Sequence, residues 1–274
     1  APPALAAAPV DARLRPFVGL STWIDVYDTS RTPEQQVAIA AAAGVQTLFV
    51  QSGKYDTAAI AAPRRLARVI DGAHDHGMSV MVWYVPDFVD LQRDYDASRA
   101  AIAFTTPRGD RADAFGLDIE LEDVADVAER SRRLLALSKA LRRWTGRDYP
   151  LAAIVLPPLQ LDLRPDWWPN FPYAALRDSY DVYIPMSYSS FRGTDATTTY
   201  RWNLTNVVEL RRRAGDPALP VHLAGGIADD LPELGAFLRA VADARVLGAG
   251  LYDLHTTRSE DWRVLRRLRV EAPG

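Results

Sequence analysis

Residues 114–122 read AFGLDIELE and set Asp118, Glu120 and Glu122 two residues apart from one another. On a β-strand alternate side chains share a face, so Asp118 and Glu120 point one way while Leu117 and Ile119 point the other. Two carboxylates so placed repel when both are ionised, and one is expected to keep its proton to near neutral pH. An acid held in that state can hand its proton to a leaving group. The charge of Asp118 is the expected cause of the raised Glu120 pKa, so neutralising Asp118 is expected to draw that pKa down. The plain alternative is a strand-end acid paired with an arginine.

Placing such a pair takes a strand inside a larger sheet, and the chain supplies a regular series of them. Short aliphatic or β-branched runs fall at 17–24, 47–51, 79–85, 115–120, 151–156, 182–187, 221–224 and 250–254, each apolar enough to be buried on both faces. Helical stretches lie between them. Thr32, Pro33 and Gln35 form a capping-box pattern and Gly44 ends that helix; Pro63 opens one that stops at Gly77. A helix over 124–145 stops at Gly146, and two more are expected over 231–247 and 259–270. Eight βα units in roughly 250 residues are the size of a single (β/α)8 TIM barrel, an α/β fold. A doubly wound sheet would show a G-x-G-x-x-G after its first strand, which is missing. Residues 16–274 are assigned to this barrel.

In a (β/α)8 barrel the chemistry collects at the carboxyl ends of the strands. Those ends carry Trp23 and Asp25; Gln51, Ser52 and Lys54; Trp83, Tyr84 and Asp87; Asp118, Glu120 and Glu122; Met186, Ser187, Tyr188 and Ser189; and Tyr252, Asp253 and His255. Trp167 and Trp168 sit in the loop after Pro157 and Pro158, as a sugar platform or as a plug over the barrel. Carboxylates ringed by aromatic residues suit a carbohydrate, whose C–H faces stack on rings while its hydroxyls take Asp, Gln and Ser. Strand parity lets one of Tyr252 and Asp253 face that site, and Tyr252 is preferred.

The segment Asp113-Ala-Phe-Gly116-Leu-Asp118-Ile-Glu120 resembles the D-x-x-D-x-D-x-E motif of family 18 glycoside hydrolases, with Gly116 where the family has its second Asp. Pro185-Met186-Ser187-Tyr188 resembles that family's sixth-strand M-x-Y-D, with Ser189 replacing the Asp. Gly250-Leu-Tyr252-Asp253 is similar to its eighth-strand segment, with Tyr252 in place of the usual Trp. The resemblance implies that Glu120 protonates the glycosidic oxygen, that Asp118 orients a 2-acetamido group which attacks C1, and that Tyr188 hydrogen-bonds that group. It leaves Asp113 as either a motif acid or a strand-start residue, and removes the relay carboxylate at position 116. The retaining enzymes of the other large barrel clan carry a Glu nucleophile on strand seven. Here that strand reads VHLAGG, with no carboxylate. An inverting pair of Glu120 with Asp25 or Asp253 stays open, as does an inactive glycan-binding barrel, although the latter usually loses the acid that Glu120 retains.

Composition narrows the partners. A net charge of -3 offers no clustered positive surface for nucleic acid. There is no Cys, and no H-E-x-x-H or paired-His spacing for a catalytic metal, so neither a metal nor another cofactor is expected. His74 and His76 read as solvated helix caps, His222 as a barrel-layer residue, Asp229 and Asp230 as a helix cap, and Trp144 and Trp262 as interhelical packing. A barrel acting on phosphorylated metabolites would want a phosphate loop richer than Gly225-Gly226. No run reaches the length of a membrane span. Residues 1–15 read as a flexible Ala/Pro-rich leader left by a removed signal peptide, and only Lys54 and Lys139 among the 32 basic residues are not Arg, a bias of GC-rich bacterial genomes. The expectation is a monomeric glycosidase, secreted or in the cell envelope.

Overall fold

The computed structural model describes residues 11–192, 195–226, 231–268 and 270. Eight strands appear, β1 (Gly19–Ile24), β2 (Thr47–Lys54), β3 (Ser79–Val85), β4 (Ala114–Ile119), β5 (Leu151–Val155), β6 (Val182–Pro185), β7 (His222–Gly225) and β8 (Gly248–Leu251). The helices between them are α1 (Pro33–Ala43), α2 (Pro63–Asp75), α3 (Leu91–Ala103), α4 (Val127–Thr145), the short α5 (Pro158–Leu163) and α6 (Tyr173–Leu176), α7 (Ala196–Ala214) and α8 (Leu231–Asp243), with α9 (Ser259–Leu265) after β8. All strand pairs are parallel and run in the order β6-β5-β4-β3-β2-β1-β8-β7. Bridges Tyr183 to Val221 and Met186 to Ala224 join the two ends, so the sheet closes into the expected (β/α)8 barrel. Among the described residues no helix is long and apolar enough to cross a membrane.

Local signals explain most element ends. Thr32 and Gln35 close a reciprocal capping box on α1, and Gly44 takes the left-handed conformation at its other end, φ 76°. Helix α4 begins at Val127 rather than at 124 because the Asp126 carboxylate accepts the N–H groups of Ala128 and Glu129. The last two helices are shorter than expected, ending at Asp243 and Leu265. The expected cap residues Asp229 and Asp230 lie outside the described residues. Of the expected leader, residues 12–15 belong instead to a 3-10 helix, Ala12–Phe17, capped by Asp11 and anchored by the buried Phe17.

Inside the barrel the side chains stack in layers. Phe49 packs on Trp23 and on His222, with ring centroids 4.9 Å apart in each case. The His222 ring is fixed by Ser21 Oγ at 2.7 Å from Nε2 and by the Phe17 carbonyl at 2.8 Å from Nδ1, which makes it a neutral layer residue as expected. Gly250 leaves room for this pair, since a β-carbon there would stand 2.2 Å from the Ser21 carbonyl oxygen.

Candidate active site

Asp118 is the penultimate residue of β4 and points into the barrel, buried, with its Oδ1 lacking any hydrogen-bond partner among the described residues. Glu120 follows the strand end and is reached by solvent at the bottom of a concave mouth. Burial raises the pKa of both groups, and the charge of Glu120 raises Asp118 further. Burial is thus the leading cause for each group, beside the mutual charge that their spacing suggests.

Position 116 explains part of that desolvation. A β-carbon at Gly116 would stand 2.9 Å from Ile154 Cδ1 and 3.2 Å from both Met81 Cε and Sδ, so apolar side chains fill the place where the family motif has an acid. Asp113 lies at the opposite end of the strand. It accepts hydrogen bonds from the Val80 amide at 2.8 Å and pairs with His74 Nε2 at 3.0 Å, so it is a strand-start residue. That contact raises the His74 pKa, and His74 is a half-buried partner of Asp113 rather than a solvated cap. His76 does end α2, with Nδ1 2.9 Å from the Gly72 carbonyl.

Four aromatic rings line the floor. Trp23 lies 5.6 Å from Trp83 and 5.9 Å from Tyr252, which lies 6.1 Å from Tyr188. The Tyr252 hydroxyl donates to Asp25 Oδ2 at 3.0 Å, tying the end of β8 to the end of β1. Tyr188 is enclosed, and burial followed by the Asp118 and Glu120 charges pushes its phenol well up. The indole N–H groups of Trp23 and Trp83 are buried with no acceptor among the described residues. Gln51 turns to the β1–α1 loop, where its Oε1 accepts the Val26 amide at 3.1 Å.

Several other candidates serve the scaffold instead. Tyr84 alternates with Trp83 and so faces α3, donating to Asp94 Oδ1 at 3.0 Å. Asp87 is buried against Arg93 and accepts the Val89 amide at 2.8 Å. Strand β8 stops at Leu251, so parity does not govern the residues after it. Tyr252 faces the site as preferred, while the Asp253 carboxylate folds back on Thr256, accepting its N–H and its hydroxyl at 2.9 Å each. Asp25 accepts the Tyr27 and Asp28 amides through Oδ1. His255 sits 3.5 Å from Asp28, and Glu122 is exposed beyond the mouth. Trp262 is buried, but Trp144 is 38% exposed beneath the Arg99 guanidinium.

Beside Glu120 opens a cleft of about 250 Å³, walled by Trp167, Met186, Tyr188, Phe191, Arg192 and Trp202. The paired tryptophans therefore divide their roles. Trp167 lines the cleft, whereas Trp168 is 1% exposed, packs on Phe171 and donates its N–H to Ser131. Trp202, Phe191, Arg192 and Gln160 were not legible as site residues, because they follow strands five and six at a distance. Trp202 lies in the second turn of α7, whose start at the mouth was the available signal. Two larger cavities, about 480 and 500 Å³, open at the amino ends of the strands around Asp113 and Asp148, far from the carboxylate pair. Cavity size does not mark the chemistry here. Among the described residues no cluster of His, Asp or Glu is arranged to hold a metal ion.

No sequence-family model and no curated protein matches the chain. Solved structures do match it in fold. The spore cortex-lytic enzyme SleL of Bacillus cereus superposes with a TM-score of 0.70 at 9% identity, covering 93% of this chain and 75% of that one. The C-terminal domain of a putative chitinase from Desulfitobacterium hafniense gives 0.69 at 12% identity, with 92% and 99% covered. An endo-β-1,4-mannanase from Thermotoga petrophila gives 0.68 at 12% identity, with 92% and 76% covered. The fold is thus the (β/α)8 barrel that these three structures share.

Proposed function

We propose that the protein is a glycosidase acting on a glycan with N-acetylated sugars, with Glu120 as its general acid. The observation that carries this reading is the carboxyl pair at the end of β4: an accessible, desolvated Glu120 beside a buried Asp118 whose Oδ1 is unsatisfied. Glu120 passes its proton to the glycosidic oxygen as the bond to C1 breaks. The carbonyl oxygen of the 2-acetamido group closes on C1, Tyr188 donates to that oxygen, and Asp118 accepts the acetamido N–H. Positive charge growing on the sugar strengthens the hydrogen bond that Asp118 accepts. Water then attacks C1, returning its proton to Glu120.

An enzyme nucleophile is less well supported. Strand β7 directs His222 and Ala224 inward, and the carboxylates of Asp25 and Asp253 are engaged in local hydrogen bonds. Hydrolysis of N-acetylated and non-acetylated oligosaccharides by wild type, Glu120→Gln and Asp118→Asn tests the proposal. Wild-type turnover confined to N-acetylated substrates, and lost in both variants, is expected. Equal cleavage of non-acetylated glycans rejects acetamido participation, and binding without hydrolysis by the wild type makes the protein a glycan-binding barrel.

A further inference from the structure

Arg192 sits at the cleft wall opposite the catalytic pair and follows the 3-10 turn Ser189–Phe191. Its guanidinium lies over the Trp202 ring, 5.0 Å from the centroid. Arg164 and Arg93 are committed, to Asp166 and to Asp87 and Asp94. Arg192 has no carboxylate partner among the described residues, and its side chain makes no hydrogen bond there. Stacking on an indole holds the guanidinium plane while leaving its edge, with five N–H donors, turned to the cleft. The Trp202 indole N–H beneath it likewise has no acceptor among the described residues. Nor is Arg192 a counter-ion for the catalytic acids, since Asp118 and Glu120 respond to burial and to each other alone.

Among the described residues that line the cleft, Arg192 is the one basic side chain. We propose that Arg192 selects a glycan bearing a carboxylate on a ring next to the scissile bond, bound in a bidentate pair, so that the substrate is an acidic N-acetylated glycan. This rests on the glycosidase reading and adds the charge of the substrate to it. The carboxylate is either a uronic acid or a lactyl ether, both of which present the same two oxygens.

Equilibrium binding to the Glu120→Gln protein tests this without turnover. The probes are tetrasaccharides in which N-acetylglucosamine alternates with glucuronic acid or with N-acetylmuramic acid, the carboxyl-reduced form of each, and the neutral N-acetylglucosamine tetramer. At least one acidic probe is expected to bind about tenfold or more tighter than its reduced form, as a charge-assisted hydrogen bond allows, with the preference shrinking in salt. In Glu120→Gln/Arg192→Met the two forms are expected to bind within about twofold of each other. The acidic probe that wins identifies the source of the carboxylate. Equal affinity for acidic and reduced forms, or a preference that survives Arg192→Met, overturns the role of Arg192 and leaves the glycosidase reading standing if the neutral tetramer binds. Failure of every glycan to bind overturns both.

Discussion

The sulfur of Met81 stands 3.2 Å from where a β-carbon on Gly116 would be, so the space beneath Asp118 is already full. Gly116→Ala is therefore expected to overpack the barrel and lower stability by about 1 to 3 kcal/mol. Urea unfolding measures it, and pairing the change with Ile154→Val should recover part of the loss. A neutral or stabilising Gly116→Ala would show that the layer yields more easily than its distances imply.

Asp118→Asn separates function from stability. The raised pKa of Asp118 means that its contribution to stability is full below the unfolded value near 3.8 and is lost as pH rises toward the folded value. At pH 7 the Asn variant should thus be more stable, by roughly 1 to 3 kcal/mol, the range for an unsatisfied buried polar group. Activity on N-acetylated substrates should fall about 10²-fold or more. The basic limb of kcat/KM against pH should stay in place, because burial is the leading cause of the raised Glu120 pKa. A limb that moves to lower pH would restore the charge of Asp118 as the leading influence on Glu120.

His222 ties the fold to pH from the other side. Burial brings its imidazole down to about 4 from an ordinary 6.5, so the folded ring stays neutral while the unfolded chain takes up a proton. Stability is full above 6.5 and falls as pH drops toward 4, by about 3 kcal/mol in total. His222→Asn should be weaker at pH 7 yet flatter across that interval. Chemical unfolding between pH 7 and 4 distinguishes the two slopes.

Trp167 and Trp168 should respond in opposite ways. Trp168→Ala empties a buried ring site and should cost about 3 to 5 kcal/mol. Trp167→Ala should leave the unfolding midpoint nearly unchanged and raise KM or Kd for the glycan. Thermal melts together with binding isotherms decide it, and a shared effect on melting temperature would assign both rings to packing.

Tyr84→Phe tests the outward side of β3. Removing the hydroxyl takes a donor from buried Asp94 and should cost about 1 to 3 kcal/mol. Kinetic constants should match the wild type. A changed KM would return Tyr84 to the substrate site.

The barrel was legible because strands buried on both faces and helices closed by Thr32, Gly44 and Gly146 repeat with one period. Asp118 and Glu120 could be read because alternation along a strand is a geometric rule, and Tyr188 because its segment resembles a known motif. The rule's preference for Tyr252 over Asp253 agrees with the structure for another reason, since Asp253 lies beyond β8 and folds back on Thr256. Asp87 could not be told from a ligand group, since its partner Arg93 comes six residues later across a loop. Trp202 and Arg192 escaped because the cleft wall is assembled from α7 and a short turn, which converge only in three dimensions.

Around most of the ring, neighbouring strands share continuous ladders, but between β6 and β7 the described residues are joined by two isolated bridges. Hydrogen bonds from the Tyr183 amide to Pro220 and from Ser187 to Ala224 span that joint. Met186 and Tyr188, which form one wall of the cleft, continue directly from β6. The wall is thus hung on the joint with the sparsest pairing among the described residues, where local opening is expected to cost least. Amide exchange should be fastest at this seam in the empty protein, and an occupant gripped between Tyr188 and Glu120 acts as its clasp.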